Sequence, residues 1–164
     1  MTDPVSHLDE SGRPRMVDVS GKERTARVAV AEGRVSCSVE TLRVIQEGRA
    51  FKGNVLRVAE VAGVMGAKRT ADLIPLCHPL PLNSVEVRLQ TEDSPPGVRA
   101  TATVKTVERT GVEMEALVAV SAALLTVYDM CKSSDRGMTL EQVRLLHKEG
   151  GGSGAWNRGD GGGP

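Results

Sequence analysis

Residues 68 to 82 read Lys-Arg-Thr-Ala-Asp-Leu-Ile-Pro-Leu-Cys-His-Pro-Leu-Pro-Leu, which sets one histidine, His78, among three prolines, Pro75, Pro79 and Pro81. Each proline fixes its own φ and turns the residue before it away from helix. The stretch is therefore predicted to be extended and stiff, neither helix nor plain strand. Two cations, Lys68 and Arg69, stand just ahead of it. A stiff loop that holds an imidazole beside cations suits an anionic small molecule. The same pattern also fits a plain connector between a helix and a strand.

A second group of chemically capable residues lies on the long apolar segment that follows Gly111. At about 100° per residue, Glu115, Val118, Ala122, Leu125, Asp129 and Lys132 fall along one stripe of a helix. Charges on a stripe expected to be buried need partners or a ligand. Asp129 and Lys132 are three residues apart and can also simply pair with each other. Glu115 and Asp129 stand about 21 Å apart along such a helix. Either the ligand is long, as a nucleoside triphosphate is, or two copies of the helix build the site together. A carboxylate at Glu113 or Glu115 can accept paired N–H groups from a guanine-like ring. Lys52, Lys68, Lys132 and Lys148 can face phosphates or deliver protons. An average lysine is only a solvated surface residue; these four stand out because they sit beside turns, the proline loop or the stripe.

The elements that must position these groups follow from local pattern. Met16 to Ser20 alternates and reads as a short strand, and Arg27 to Ser38 reads as a strand with a turn at Gly33. Ser38 caps a helix that Gly48 ends. Lys52-Gly53-Asn54 is a turn, and a helix runs from about Val55 to Lys68. Its small residues Ala59, Ala62, Gly63, Gly66 and Ala67 predict close packing that offsets roughly 1 kcal/mol of lost propensity per glycine. After the proline loop come the strand around Val85 to Leu89, a turn at Ser94-Pro95-Pro96-Gly97, and a return strand from Val98 to about Val107. A helix from about Val112 to Ser133 and a short strand from Val143 to His147 complete the order. That order predicts an α+β fold of the ferredoxin-like split βαβ type, with an antiparallel sheet and the extra helices on one face. Residues 1–15 are expected to be a flexible N-terminus, 16–149 a single domain and 150–164 a flexible glycine-rich tail. Gly150-Gly151-Gly152-Ser153-Gly154 is not a phosphate-binding P-loop, because the Gly-Lys-Ser/Thr ending and the following helix are missing.

Composition narrows the classes. The chain has 164 residues, with 21 basic and 21 acidic side chains and only 2% aromatics. Zero net charge and scarce aromatics speak against a nucleic-acid partner. Cys37, Cys77 and Cys131 form no Cys-x-x-Cys pair, so neither a disulfide framework nor a bound metal is expected. No signal peptide is visible, and the apolar run from Ala116 to Tyr128 is shorter than the roughly 20 residues of a membrane span. A cytoplasmic location without membrane contact is expected.

With these residues placed, the chain resembles the cyclic pyranopterin monophosphate synthase family of molybdenum-cofactor biosynthesis. The matching segments are Met16 to Ser20, Lys52-Gly53, Ala67 to Thr70, Asp72 to Leu80, Thr110 to Leu117 and Tyr128 to Lys132. The two most specific are Ile-Pro-Leu-Cys-His-Pro-Leu and Gly-Val-Glu-Met-Glu-Ala-Leu. The resemblance covers about residues 15 to 154. It implies a lyase that converts 3′,8-cyclo-7,8-dihydroguanosine 5′-triphosphate to cyclic pyranopterin monophosphate and pyrophosphate. It implies a homohexamer, a trimer of dimers, with the site at the dimer interface. It further implies that Leu76, Cys77, His78, Glu113, Met114 and Glu115 contact substrate. Asp129 would carry acid–base chemistry with Lys52 and Lys132 beside it, and Lys68, Lys148 and Arg27 would surround the phosphates. No cofactor is required, although Mg²⁺ commonly accompanies a triphosphate. Two positions depart from the family pattern: Gly152 replaces a lysine and Asn54 an aspartate. The alternatives are a DNA-binding helix-turn-helix centred on Val58 to Val64 and a non-catalytic nucleotide-binding module on the same fold.

Overall fold

The computed structural model describes residues 8–159 apart from residues 10 and 51. The expectations for residues 1–7 and 10 of the N-terminus and for 160–164 of the tail thus lie outside the described residues. The element order is β1 (Thr25–Ser36), α1 (Val39–Gln46), α2 (Val55–Lys68), α3 (Thr70–Leu73), β2 (Ser84–Asp93), β3 (Pro96–Glu108), α4 (Glu113–Cys131), β4 (Thr139–Glu149) and β5 (Trp156–Asn157). The strands form one five-stranded sheet in the order β2-β3-β1-β4-β5, with every neighbouring pair antiparallel. β3 lies between β1 and β2, which is the split βαβ arrangement of a ferredoxin-like α+β fold.

Sequence explains where the core sits. On β3, Val98, Ala100, Ala102, Val104 and Thr106 are buried and their alternating neighbours are not, so one face of the sheet is covered. α4 supplies the cover with Ala116, Ala119, Val120, Ala123, Leu124 and Val127, spaced three or four apart and buried. α2 packs beside it at close range. A methyl group at Gly66 would sit 2.7 Å from Ala122 Cβ, and one at Gly63 would sit 2.9 Å from a Val87 methyl. The small residues therefore do what their pattern predicts.

The opposite face of the sheet carries a chain of ion pairs. Arg144 meets Glu32, Glu32 meets Arg99, Arg99 meets Glu92, and Arg34 bridges Glu92 and Glu141. Arg34 is itself buried, and its guanidinium also donates to the carbonyls of Pro95 and Pro96. It ties the β2–β3 turn to the middle of the sheet.

Five sequence expectations are corrected. Met16 to Ser20 is not a strand; it lies as a loop against the proline segment. There is no turn at Gly33, because β1 runs unbroken from Thr25 to Ser36. The glycine serves packing instead: a Cβ there would meet Val120 and Leu124 methyls at 2.7 and 2.8 Å, where α4 crosses the strand. Residues 70–73 form α3 rather than extended chain, since no proline precedes Pro75 to disrupt that turn. The last strand is longer than Val143 to His147, spanning Thr139–Glu149. The glycine-rich segment is not wholly a tail: β5 returns to pair Trp156 with Lys148 and Asn157 with His147.

The stripe from Glu115 to Lys132 is also not the buried face. Glu115 is 5% exposed but Leu125 is 57% exposed, and Asp129 and Lys132 are open to solvent. The neighbouring stripe, Ala116 to Val127, is free of charge and so takes the sheet. α4 has the length and apolarity of a membrane-crossing helix, but more than half of it is buried inside the protein, which identifies it as the core helix. The helix-turn-helix alternative is overturned, because Val58 to Val64 lies inside one continuous helix, α2.

Candidate active site

A cavity of about 410 Å³ opens at the N-terminus of α4. Its walls include Leu76, Cys77 and His78 from the proline loop and Glu113, Met114 and Glu115 from the first turn of the helix. Six residues far apart in sequence are thus gathered at one place. The loop is held there from both ends. Cys77 N–H closes a turn onto the Ile74 carbonyl at 3.1 Å, Thr106 Oγ1 donates to the Pro81 carbonyl at 2.6 Å, and Asn83 Oδ1 accepts from Val107 N–H at 3.0 Å.

His78 has a defined role in this wall. Its Nε2 lies 2.7 Å from the Val17 carbonyl oxygen. A carbonyl only accepts, so Nε2 carries the proton of this bond. The histidine thereby fastens the loop 16–22, whose Val17, Val19 and Lys22 complete the cavity. Sequence reasoning did not single out Lys22. Its signal was present in the Ser20-Gly21-Lys22 turn directly after the matching Met16 to Ser20 segment.

Glu115 is the buried charge of the site. Desolvation pushes its carboxyl above the usual range, and the nearby Glu113 charge pushes the same way. Burial, then the Glu115 charge, raises the Cys77 thiol, which disfavours the thiolate that a nucleophile would need. A carboxyl with a raised proton affinity, at a helix start and inside a cavity, is suited to paired N–H donors from a ligand.

A second cavity, of about 670 Å³, adjoins the first through Lys22, Thr110, Gly111 and Glu113. It is lined by Arg27, Arg109 and Lys148 and by the backbone of Gly151, Gly152 and Ser153. Lys148 Nζ lies 3.3 Å from Glu113 Oε1 and reaches toward Ser153 Oγ at 3.5 Å. The excess of cations and the glycine backbone suit this cavity to an anion. Lys68 stands apart, in a smaller cavity on the far side of the proline loop that also touches His78 and Glu115.

The remaining candidates gather elsewhere. Asp129 Oδ1 meets Lys132 Nζ at 2.7 Å, and Asp129 Oδ2 meets Lys52 Nζ at 2.9 Å. Lys52 Nζ also donates to the Asp129 carbonyl at 3.1 Å. The hydrogen bonds from Lys132 and then Lys52 hold the Asp129 carboxyl down at about 2, and the same bond raises Lys132. The aspartate is therefore a carboxylate and Lys132 an ammonium at neutral pH. Asn54, two residues from Lys52, caps α2 by accepting from Arg57 N–H at 3.1 Å. This group lies at the C-terminal end of α4, about 21 Å from Glu115 along the helix. One chain does not bring Asp129, Lys52 and Lys132 to the cavity. Among the described residues, no three His, Cys, Asp or Glu side chains cluster.

Comparison with known proteins matches this arrangement to a family. The model of the MoaC family matches residues 16–151. The cyclic pyranopterin monophosphate synthase of Thermomicrobium roseum is 60% identical over 156 residues, covering 95% of this chain and 94% of that protein. The protein of the same name from Cereibacter sphaeroides is 62% identical over 150 residues, covering 92% and 94%. That from Dinoroseobacter shibae is 58% identical over 150 residues, covering 92% and 95%. The span matched by the family model takes in the proline loop, both ends of α4 and all of the cation-lined cavity but Gly152 and Ser153, and the chain belongs to the MoaC family.

Proposed function

We propose that this protein is a cyclic pyranopterin monophosphate synthase, a cytoplasmic lyase of molybdenum-cofactor biosynthesis. It converts 3′,8-cyclo-7,8-dihydroguanosine 5′-triphosphate to cyclic pyranopterin monophosphate and releases pyrophosphate. The observation that carries the reading is the pair of joined cavities, one holding a buried carboxyl and the other lined by cations. Such a pair matches a ligand with a guanine-derived ring at one end and phosphates at the other.

In this reading Glu115 accepts from the ring N–H groups, with Leu76, Cys77, His78, Glu113 and Met114 around it. Lys148, Lys68 and Arg27 supply positive field to the phosphates, joined by Lys22. Lys132, held as an ammonium by Asp129, is the acid, and Asp129 and Lys52 complete the acid–base group as the ring opens and the pterin closes. A ribose-derived hydroxyl then attacks the α-phosphorus. The new P–O bond forms as the bond to the β-phosphate oxygen breaks, and pyrophosphate departs. Holding the substrate at both ends supplies much of the rate through positioning. Mg²⁺ would be carried by the phosphate oxygens themselves, with Glu23 and Glu113 the carboxylates lining that cavity.

The assembly is part of the proposal. Asp129, Lys52 and Lys132 reach the substrate only from a second copy, so the site lies at a dimer interface of a homohexamer. Two features support this. The acid–base group is open to solvent in the single chain, and α2 exposes Val58, Val61 and Met65 while α4 exposes Leu125. Incubation with the cyclic triphosphate tests the function. Pyrophosphate and a pterin that fluoresces after oxidation should rise together; tight binding with neither product would sink the synthase reading.

A further inference from the structure

Arg27 lines the cation-rich cavity, yet its guanidinium is turned toward the protein's own backbone. Nε donates to the Glu108 carbonyl at 3.3 Å, Nη2 to the Arg109 carbonyl at 3.2 Å and Nη1 to the Gly150 carbonyl at 3.2 Å. Among the described residues no carboxylate pairs with it. These three acceptors belong to two different strand exits. β3 leaves the sheet at Glu108 and enters the loop 109–111, which leads to Glu113, Met114 and Glu115. β4 leaves at Glu149 and enters the glycine segment 150–153. β1 lies between these strands, and its last backbone pairs are Thr25 with Glu108 and Val28 with Glu149. Where the ladders stop, the side chain of Arg27 continues them.

The glycine segment is shaped around this group. Gly150 has φ +106°, and a Cβ there would lie 2.1 Å from the Ala26 carbonyl oxygen. Gly151 has φ +73°, and its Cβ would lie 2.1 Å from Arg27 Nη1. Only glycine permits both the left-handed backbone and this approach. The far end of the segment is fixed by β5, with Arg158 N–H and Nε bonded to the Leu146 and Leu145 carbonyls at 2.8 and 2.7 Å.

We infer that Arg27 is a positioning residue: it clamps the loop 109–111 to the segment 150–153 and so sets the two walls of the phosphate end before substrate arrives. This rests on the synthase reading for what the walls hold, but not for the clamp itself. A planar fork of donors is needed to reach carbonyls on two strands at once, and a point charge cannot replace it. A direct phosphate ligand would behave differently, because an ammonium binds phosphate well.

Amide hydrogen exchange on the substrate-free full chain, in wild type, Arg27→Lys and Arg27→Gln, tests the clamp. Both variants should speed exchange across 109–111 and 150–153 by roughly 10-fold or more, with the rest of the sheet unchanged. The pyrophosphate assay should show KM raised about equally in both, with kcat changed less. Gly151→Ala disturbs the clamp from the other side and should reproduce the exchange pattern, which keeps the test decisive if an Arg27 variant fails to fold. Wild-type exchange in the variants would overturn the inference. So would faster exchange with unchanged KM, or a KM restored by lysine but not by glutamine. An inactive wild type would remove the synthase reading and leave the exchange result to judge the clamp.

Discussion

The two ends of α4 present the same kinds of residue in opposite settings. At the N-terminal end, Glu115 is 5% exposed, walled by the proline loop and raised in proton affinity by burial. At the C-terminal end, Asp129 has a side chain 54% exposed, and two lysines hold it far below the ordinary range. The first end is a finished cavity that a single chain builds. The second is a charged constellation with no walls. Binding needs enclosure, whereas proton transfer needs groups that start in the right protonation state and lie in good geometry. In the proposed reading one helix carries both halves of the site, and the length of about 21 Å between them keeps each half from completing the other within one chain.

The sharpest way to break this comparison is to inactivate the two ends separately and mix the products. Lys132→Ala should fold normally, as its side chain is exposed, yet lose turnover by roughly 10²–10⁴-fold if it is the acid. Glu115→Ala should lose turnover through substrate binding. Unfolding and reassembling the two inactive proteins together should recover a fraction of wild-type pyrophosphate release, because some interfaces then pair an intact cavity with an intact Asp129 group. No recovery, with mixed oligomers confirmed by native mass spectrometry, would mean that the two ends do not meet across an interface. Near-wild-type turnover by Lys132→Ala alone would remove its role as the acid.

A smaller effect separates the ends by pH. In the proposed reading Glu115 accepts ligand N–H groups as a carboxylate, and burial raises its proton affinity. Substrate affinity should therefore fall as pH drops through a range above that of an ordinary glutamate. Asp129 stays ionised throughout, since its carboxyl sits at about 2. Glu115→Gln keeps the shape but removes the charge. It should raise KM about 10- to 100-fold at neutral pH and flatten the acidic limb of kcat/KM. An acidic limb that survives the substitution would assign it to another group.

How much of this was legible in the sequence differs by end as well. The proline spacing around His78 announced a rigid wall, and the alternation of β2 and β3 with the small residues of α2 announced the sheet and the helix pair. What failed were inferences that needed a third dimension. Gly33 reads as a turn in one dimension, but α4 crosses β1 there and leaves no room for a side chain. The stripe from Glu115 to Lys132 had the right period, yet period alone does not say which face meets the sheet, and the uncharged stripe beside it does. The glycines at 150 and 151 looked like a tail because their contact, Arg27, is more than a hundred residues away. Lys22 was missed for the same reason, since the His78 bond to Val17, a contact 61 residues apart in sequence, ties that loop to the cavity.

The smallest expected effect bears on the open end alone. Asn54 stands two residues from Lys52, at a position where the family resemblance leads to the expectation of aspartate. In the structure it caps α2, a role in which asparagine and aspartate are nearly equal, so Asn54→Asp should change stability by less than about 0.5 kcal/mol. The substitution adds a negative charge two residues from Lys52, and the alkaline limb of kcat should move only slightly, to higher pH. The side chain of Lys52 is 48% exposed, so solvent screens most of that influence. A thermal melt paired with a pH–rate profile reads both quantities on one sample. A large loss of stability would show that the cap is not what Asn54 provides. A shift of the acidic limb instead would tie Asn54 to the Glu115 end, and the separation of the two halves along α4 would then fail at the cap of α2.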